Sequence, residues 1–292
     1  MKILIAVDGS KHSDWAVDLL RRLPLSEAPE IVVIHVVPLD PVMVIHLTIP
    51  PVSREYDKAV QREVEKALEA GHELAARVAD RLSARAEKVR TVIERGHAAD
   101  SILTRAREER ADLIVLGSRG LSRIQSFLIG SVSQKVVTYA PCSVLIVKRK
   151  SRELKKILVA LDGSNDSDKA VDYLQSHFLP EGIRCTALFA WEQPLPLYLP
   201  KMAVEKMHER FRRLLGRAGF KAKTLFVHGH PAKRIVEAAQ KKKPDLVIVG
   251  SRGLSGLKRF LLGGISHKVV VHSPASVLVV RHSDSAKPDE KP

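Results

Sequence analysis

At 292 residues the chain is long enough for two domains, each with its own core. Apolar residues at 45% and charged residues at 28% are ordinary globular values, which excludes a disordered chain, and no apolar run approaches the roughly 20 residues of a membrane span. The net charge of +15 would suit an anionic partner, but no nucleic-acid motif or aromatic–basic interleaving accompanies it, so a solvated basic face and phosphate sites are the expected uses and nucleic acid is disfavoured.

The chain opens on the apolar run Lys2–Asp8 with no leader pattern before it, and the expected compartment is the cytoplasm. That run reads as a parallel-sheet core strand, buried on both faces, and it ends in Asp-Gly-Ser; Lys155–Ser164 repeats it. Ser10 and Ser164 stand where each would cap the next helix. The first such helix is expected over Asp14–Leu23, with Trp15, Leu19 and Leu20 facing inward; Ala170, Val171 and Leu174 do the same in the second copy. Strand two is Ile31–Val37, matched by Cys185–Trp191. Pro-rich segments follow, Pro38–Pro51 and Glu192–Pro200, suited to covering a ligand or meeting another domain. A long charged helix is expected over Arg54–Ala84 and a shorter one over Lys201–Ala218. The third strands, Lys88–Glu94 and Ala222–Val227, end at Gly96-His97 and Gly229-His230, where the helices Ala99–Glu108 and Ala232–Lys241 begin.

The next stretch carries the chemistry, and it also occurs twice. Asp112–Lys148 recurs as Asp245–Arg281 with more than half of its positions identical, which establishes a duplication. Each copy is a buried strand (Leu113–Leu116; Leu246–Val249), a glycine loop, a short helix from Ser131 or Gly264, a proline and a last strand. The glycines fall at 117, 120 and 130, and again at 250, 253 and 263, giving G-x2-G-x9-G both times. Glycine lets backbone approach a ligand, and a helix opening at the third glycine offers unpaired N–H groups to an anion. Ser131 and Ser133 add hydroxyls there. Three glycines can merely mark turns, but two copies at identical spacing after Val/Ile/Leu strands point to a phosphate cradle.

Each repeat therefore reads β-α-β-α-β-α-β-α-β. Right-handed crossovers make the chain an α/β protein of two tandem doubly wound domains, each a five-stranded parallel sheet with helices on both faces. Domain one is expected over residues 1–149 and domain two over 150–282, joined by the short charged linker Lys148–Lys156 and followed by a polar tail, 283–292. Asp8 and Asp162, at the ends of the first strands, can face the cradles across a cleft, or simply cap their own turns. Cys142 and Cys185 read as buried free thiols, and His228 and His230 as surface residues.

Several enzyme classes are excluded. The chain has no G-x4-G-K-(S/T), no G-x-G-x-x-G after strand one, no G-x-S-x-G and no HExxH. Arg119 and Arg252 lie inside the glycine loops and could neutralise phosphate or point to solvent. Nothing is built to activate water, so at most slow ATP hydrolysis is expected.

The doubled glycine pattern resembles the universal stress protein family, whose nucleotide-binding members carry G-x2-G-x9-G-(S/T) after the fourth strand. The first copy matches it through Gly130-Ser131; the second departs at Gly264, although Ser266 matches Ser133. The resemblance covers nearly the whole chain and implies an adenine-nucleotide α-hydrolase-like fold and a stress-response regulatory protein. It implies ATP or another adenine nucleotide, AMP and ADP included, as ligand. In domain one the matching positions are Asp8, Val36, Gly117, Gly120, Gly130, Ser131, Val132 and Ser133. In domain two they are Asp162, Ala190, Gly250, Gly253, Gly263, Gly264, Ile265 and Ser266. A Mg²⁺ ion near Asp8 is compatible with this, as is a scaffold with nucleotide in only one domain. The family commonly dimerises by pairing its last strand antiparallel. Here Ser143–Lys148 and Ser276–Arg281 can pair within one chain as an intramolecular pseudo-dimer, with a further homodimer left open, and pairing would remove two apolar sheet edges.

Overall fold

The computed structural model describes residues 1–38, 54–121, 129–150, 153–192, 201–251 and 262–281. The Pro-rich loop expectations fall largely on 39–53 and 193–200, outside the described residues, as do Arg252, Gly253 and the polar tail. The first half runs β1 (Lys2–Ala6), α1 (Lys11–Leu20), β2 (Glu30–Pro38), α2 (Arg54–Ser83), β3 (Lys88–Gly96), α3 (Ala98–Glu108), β4 (Leu113–Gly117), α4 (Ser131–Tyr139) and β5 (Ser143–Val147). The second runs β6 (Lys156–Ala160), α5 (Asn165–His177), β7 (Arg184–Trp191), α6 (Lys201–Arg217), β8 (Ala222–His228), α7 (Pro231–Lys242), β9 (Leu246–Gly250), α8 (Gly264–His272) and β10 (Ser276–Val280). The expected α1 lies three residues too late in the chain. Ser10 accepts the Ser13 N–H at 3.2 Å and starts the helix at once, and the chain leaves it before Pro24.

All ten strands join one sheet, in the order β3-β2-β1-β4-β5-β10-β9-β6-β7-β8. Within each half every pairing is parallel. The halves meet antiparallel, with Val144, Leu145 and Ile146 of β5 opposite Val279, Leu278 and Val277 of β10. The inner strands are buried along their length because helices cover both faces, so their sequences are continuous Val/Ile/Leu runs without alternation. The outermost strands, β3 and β8, are partly exposed and carry charged residues such as Lys88, Arg90 and Lys223, which discourages further edge pairing.

One face is packed by α1, α2, α5 and α6, through Val17, Leu82, Leu174 and Phe211 among others; the opposite face is packed by α3, α4, α7 and α8, through Ile102, Val137, Ile235 and Val270. Each apolar layer runs unbroken through both halves. A fully buried side chain of this kind stabilises by about 1.5–3 kcal/mol. Outside the sheet, the segment after α1 touches the end of α5: Ser26 N–H donates to the His177 carbonyl at 3.0 Å, and Leu179 N–H to the Pro24 carbonyl at 2.7 Å. No helix among the described residues is long and apolar enough to cross a membrane.

Candidate functional site

The carboxyl ends of β1 and β4 lie side by side, and two tight segments leave from them. After β1 the chain turns at Gly9, whose φ of +77° favours glycine, and Asp8 Oδ1 accepts the Ser10 N–H at 3.0 Å. The second half repeats this turn: Gly163 has φ +78°, and Asp162 Oδ1 accepts the Ser164 N–H at 3.0 Å. Both aspartates thus cap their own turns. The second oxygen of Asp8 lies against the cradle, because a Cβ built on Gly120 would come within 2.6 Å of Asp8 Oδ2.

The cradle is laced by matching hydrogen bonds in the two halves. Ser118 N–H donates to the Val147 carbonyl of β5 at 2.8 Å, and Gly130 N–H donates to the Ser118 carbonyl at 2.8 Å. Ser251 N–H reaches the Val280 carbonyl of β10 at 2.9 Å, and Gly263 N–H reaches the Ser251 carbonyl at 2.8 Å. Helices α4 and α8 then begin at Gly130 and Gly263, with no capping side chain and no acidic residue in the first turn. Helices α1 and α5, by contrast, are capped by Ser10 and Ser164. An uncapped helix start leaves N–H donors and the positive dipole end open to an anion.

Two expectations about individual residues change here. The spacing assigns Gly117 and Gly120 to a close approach of ligand, yet the protein itself also requires glycine at both. A Cβ on Gly117 would lie 2.7 Å from the His12 carbonyl carbon, and one on Gly120 would strike Asp8. Gly130 is different: its nearest contacts to a Cβ are 3.5 Å away, ordinary packing distances, and Gly264 would meet nothing within 4 Å. The sequence offers Ser133 as a ligand hydroxyl, but it is buried and donates to the Gly117 carbonyl at 2.7 Å; Ser266 does the same to the Gly250 carbonyl at 2.6 Å. Their hydroxyls tie the helix start to the strand end, whereas Ser131 and Gly264 are exposed beside it.

In the second half these parts enclose a cavity of about 990 Å³. Asp162, Ala190, Gly250 and Gly263 to Ser266 all line it. Every described second-half residue expected at the site is therefore gathered there; Gly253 lies outside the described residues. In the first half Val36, near the end of β2, is buried at the position corresponding to Ala190.

Comparison with known proteins decides the family. The family model described as Universal stress protein family matches residues 1–148 and again 153–281. The chain belongs to the universal stress protein family. A universal stress protein of Mycolicibacterium smegmatis is 29% identical over 296 residues, covering 96% of each chain. Universal stress protein YxiE of Bacillus subtilis is 32% identical over 145 residues, which is 98% of its length and 43% of this chain. A solved universal stress protein from Archaeoglobus fulgidus shares the fold with a TM-score of 0.67 at 21% identity, over 98% of this chain and 97% of that one.

The two universal stress protein repeats differ in residues that the glycine pattern does not reveal. His12, in the first turn of α1, is buried beside Trp15 with ring centroids 4.7 Å apart. Burial pushes its pKa down, and the charges of Arg119 and Lys11 push the same way against Asp8. Repeat alignment offers the only sequence signal, since Asp166 stands at the matching position. In the second repeat Phe189, Trp191 and His230 add aromatic wall to the cavity, and Trp191 matches Val37. The basic face of α6 reaches the turn beside the second site, where Arg210 donates to the Gly163 carbonyl at 3.2 Å. Arg210 also pairs with Asp168 at 2.7 Å, and Arg213 pairs with Glu209 at 3.6 Å.

Proposed function

We propose that this universal stress protein binds an adenine nucleotide, ATP in the first instance, at the carboxyl ends of both half-sheets and acts as a nucleotide-dependent regulator rather than an enzyme. One observation carries the reading: in both copies a helix starts uncapped and with no acidic residue in its first turn, near the strand end that bears Asp8 or Asp162. Phosphates would lie on the backbone amides of Ser131–Ser133 in the first half and of Gly264–Ser266 in the second. Adenosine would extend past Asp8 toward Val36, and past Asp162 toward Ala190. Among the described residues no three His, Cys, Asp or Glu side chains gather into a metal site. A Mg²⁺ ion would therefore be held chiefly by the phosphates, with Asp8 as its protein carboxylate.

The β5–β10 register supports treating residues 1–149 and 150–282 as the two members of an intramolecular pseudo-dimer. Two buried free cysteines suit a reducing compartment, and the cytoplasm remains our assignment. The test of the site is a calorimetric titration with ATP. Two unequal sites are expected, the second weaker because Gly264 lacks the hydroxyl of Ser131. A lost hydrogen bond to charged phosphate is worth about 1.5–3 kcal/mol, roughly tenfold or more in affinity. Gly264→Ser has open space around the new side chain and should tighten the second site toward the first. Heats that do not saturate, together with no nucleotide released from the denatured protein, would remove the proposal.

A further inference from the structure

Beyond the last residue of each central strand, a cation crosses to the other half. Lys148, directly after β5, donates from Nζ to the carbonyls of Val271 at 2.9 Å and Ser273 at 2.7 Å, at the end of α8. Arg281, directly after β10, donates from one guanidinium nitrogen to the carbonyls of Val137 and Thr138, both at 2.9 Å, at the end of α4. The backbone is exchanged as well: Arg281 N–H donates to Ser143 Oγ at 3.1 Å, and Lys148 N–H to Ser276 Oγ at 3.3 Å. The contacts are reciprocal, although the residues in each pair lie more than 120 positions apart in the chain.

The two helices held in this way are the two whose N-termini form the cradles. The last carbonyls of a helix have no partner within it, and neither α4 nor α8 ends on a glycine that would satisfy them locally. A cation there supplies the missing donors and complements the negative dipole end. Each helix is nine residues long, about 13 Å, so fraying its last turn loosens a large part of it. We propose that Lys148 is a positioning residue for the second half's anion site and Arg281 for the first half's, so that each cradle is held by a residue of the opposite half. This rests on the nucleotide reading above.

The experiment is hydrogen exchange of the full chain with increasing ATP, read by mass spectrometry over residues 131–139 and 264–272. In Lys148→Met the ATP concentration that half-protects 264–272 should rise about three- to tenfold, while 131–139 is unchanged. Lys148→Arg should restore it, and Arg281→Met should give the mirror result. A merely structural role for Lys148 would weaken its own half at least equally, because Val147 beside it holds the Ser118 amide of the first cradle. Equal loss at both segments, loss only in the residue's own half, or no change in either variant would overturn the inference while leaving nucleotide binding in place. No ATP-dependent protection in the unmodified chain would instead remove the nucleotide reading, and the inference with it. Should Lys148→Met fail to fold, Arg281→Gln compared with Arg281→Lys poses the same question from the other strand.

Discussion

Gly120 rests against a carboxylate, and that contact changes how substitutions at the glycine loop should be read. A methyl at this position would fall 2.6 Å from Asp8 Oδ2, so Gly120→Ala must push Asp8 out of its turn before it can affect any phosphate. Overpacking of this kind costs about 1–3 kcal/mol. The cost should largely vanish when the carboxylate is absent. In urea unfolding, Gly120→Ala combined with Asp8→Ala should therefore lose clearly less stability than the two single changes added together. Strict additivity would show that Gly120 and Asp8 do not touch in solution. Gly130 has no comparable neighbour, so its glycine is the better candidate for a constraint set by a ligand.

At the scale of elements, β5 combines an apolar strand with a half-buried lysine at its end. Burial, reinforced by the charge of Arg119, lowers the pKa of Lys148 to about 8 from an ordinary 10.5. The folded chain thus releases this proton near pH 8, while the unfolded chain keeps it to about 10.5. The unfolded state binds more protons in that window, so stability rises with pH there. Cys142 and Cys185 work in the opposite sense, but only above about pH 9. Burial raises both thiols to about 12, and unfolded thiols ionise near 9. Between pH 8 and 9 the unfolding free energy should rise by up to about 1.4 kcal/mol relative to Lys148→Met. Parallel pH profiles of the two proteins in urea unfolding would show that Lys148 is not desolvated.

For the whole molecule, the central β5–β10 pair is what makes one sheet of two repeats. Val144, Leu145 and Ile146 are at most 1% exposed. Residues 1–150 expressed alone would present this strand as an unpaired apolar edge and leave the end of α4 without Arg281. Such an edge pairs with another copy. The fragment should therefore sediment as a dimer, with Lys148 of one copy on the α4 carbonyls of its mate. A soluble monomer whose 143–148 amides are protected from exchange would mean that the edge needs no partner, and the pseudo-dimer idea would fail.

The repeat, the order of strands and helices, and the loops that leave the strand tips are all legible in the amino-acid order alone. These follow from local periodicity, from turn residues such as Gly9 and Gly163, and from the cap residues Ser10 and Ser164, all of which act within a few positions along the chain. Legible too is a helix start left unprotected after Gly130 and Gly263, because no capping side chain is present there. That Gly117 serves the packing of α1, that Gly120 lies against Asp8, and that the Ser133 hydroxyl is spent on the backbone emerge only in the folded chain. Nor could spacing show that Lys148 and Arg281 end on each other's half. Such outcomes depend on which surfaces meet when parallel strands are brought together across long crossovers. A close contact between residues a hundred or more positions apart leaves no periodic trace in the chain, since it is set by packing volume and by backbone donors and acceptors that every residue carries alike.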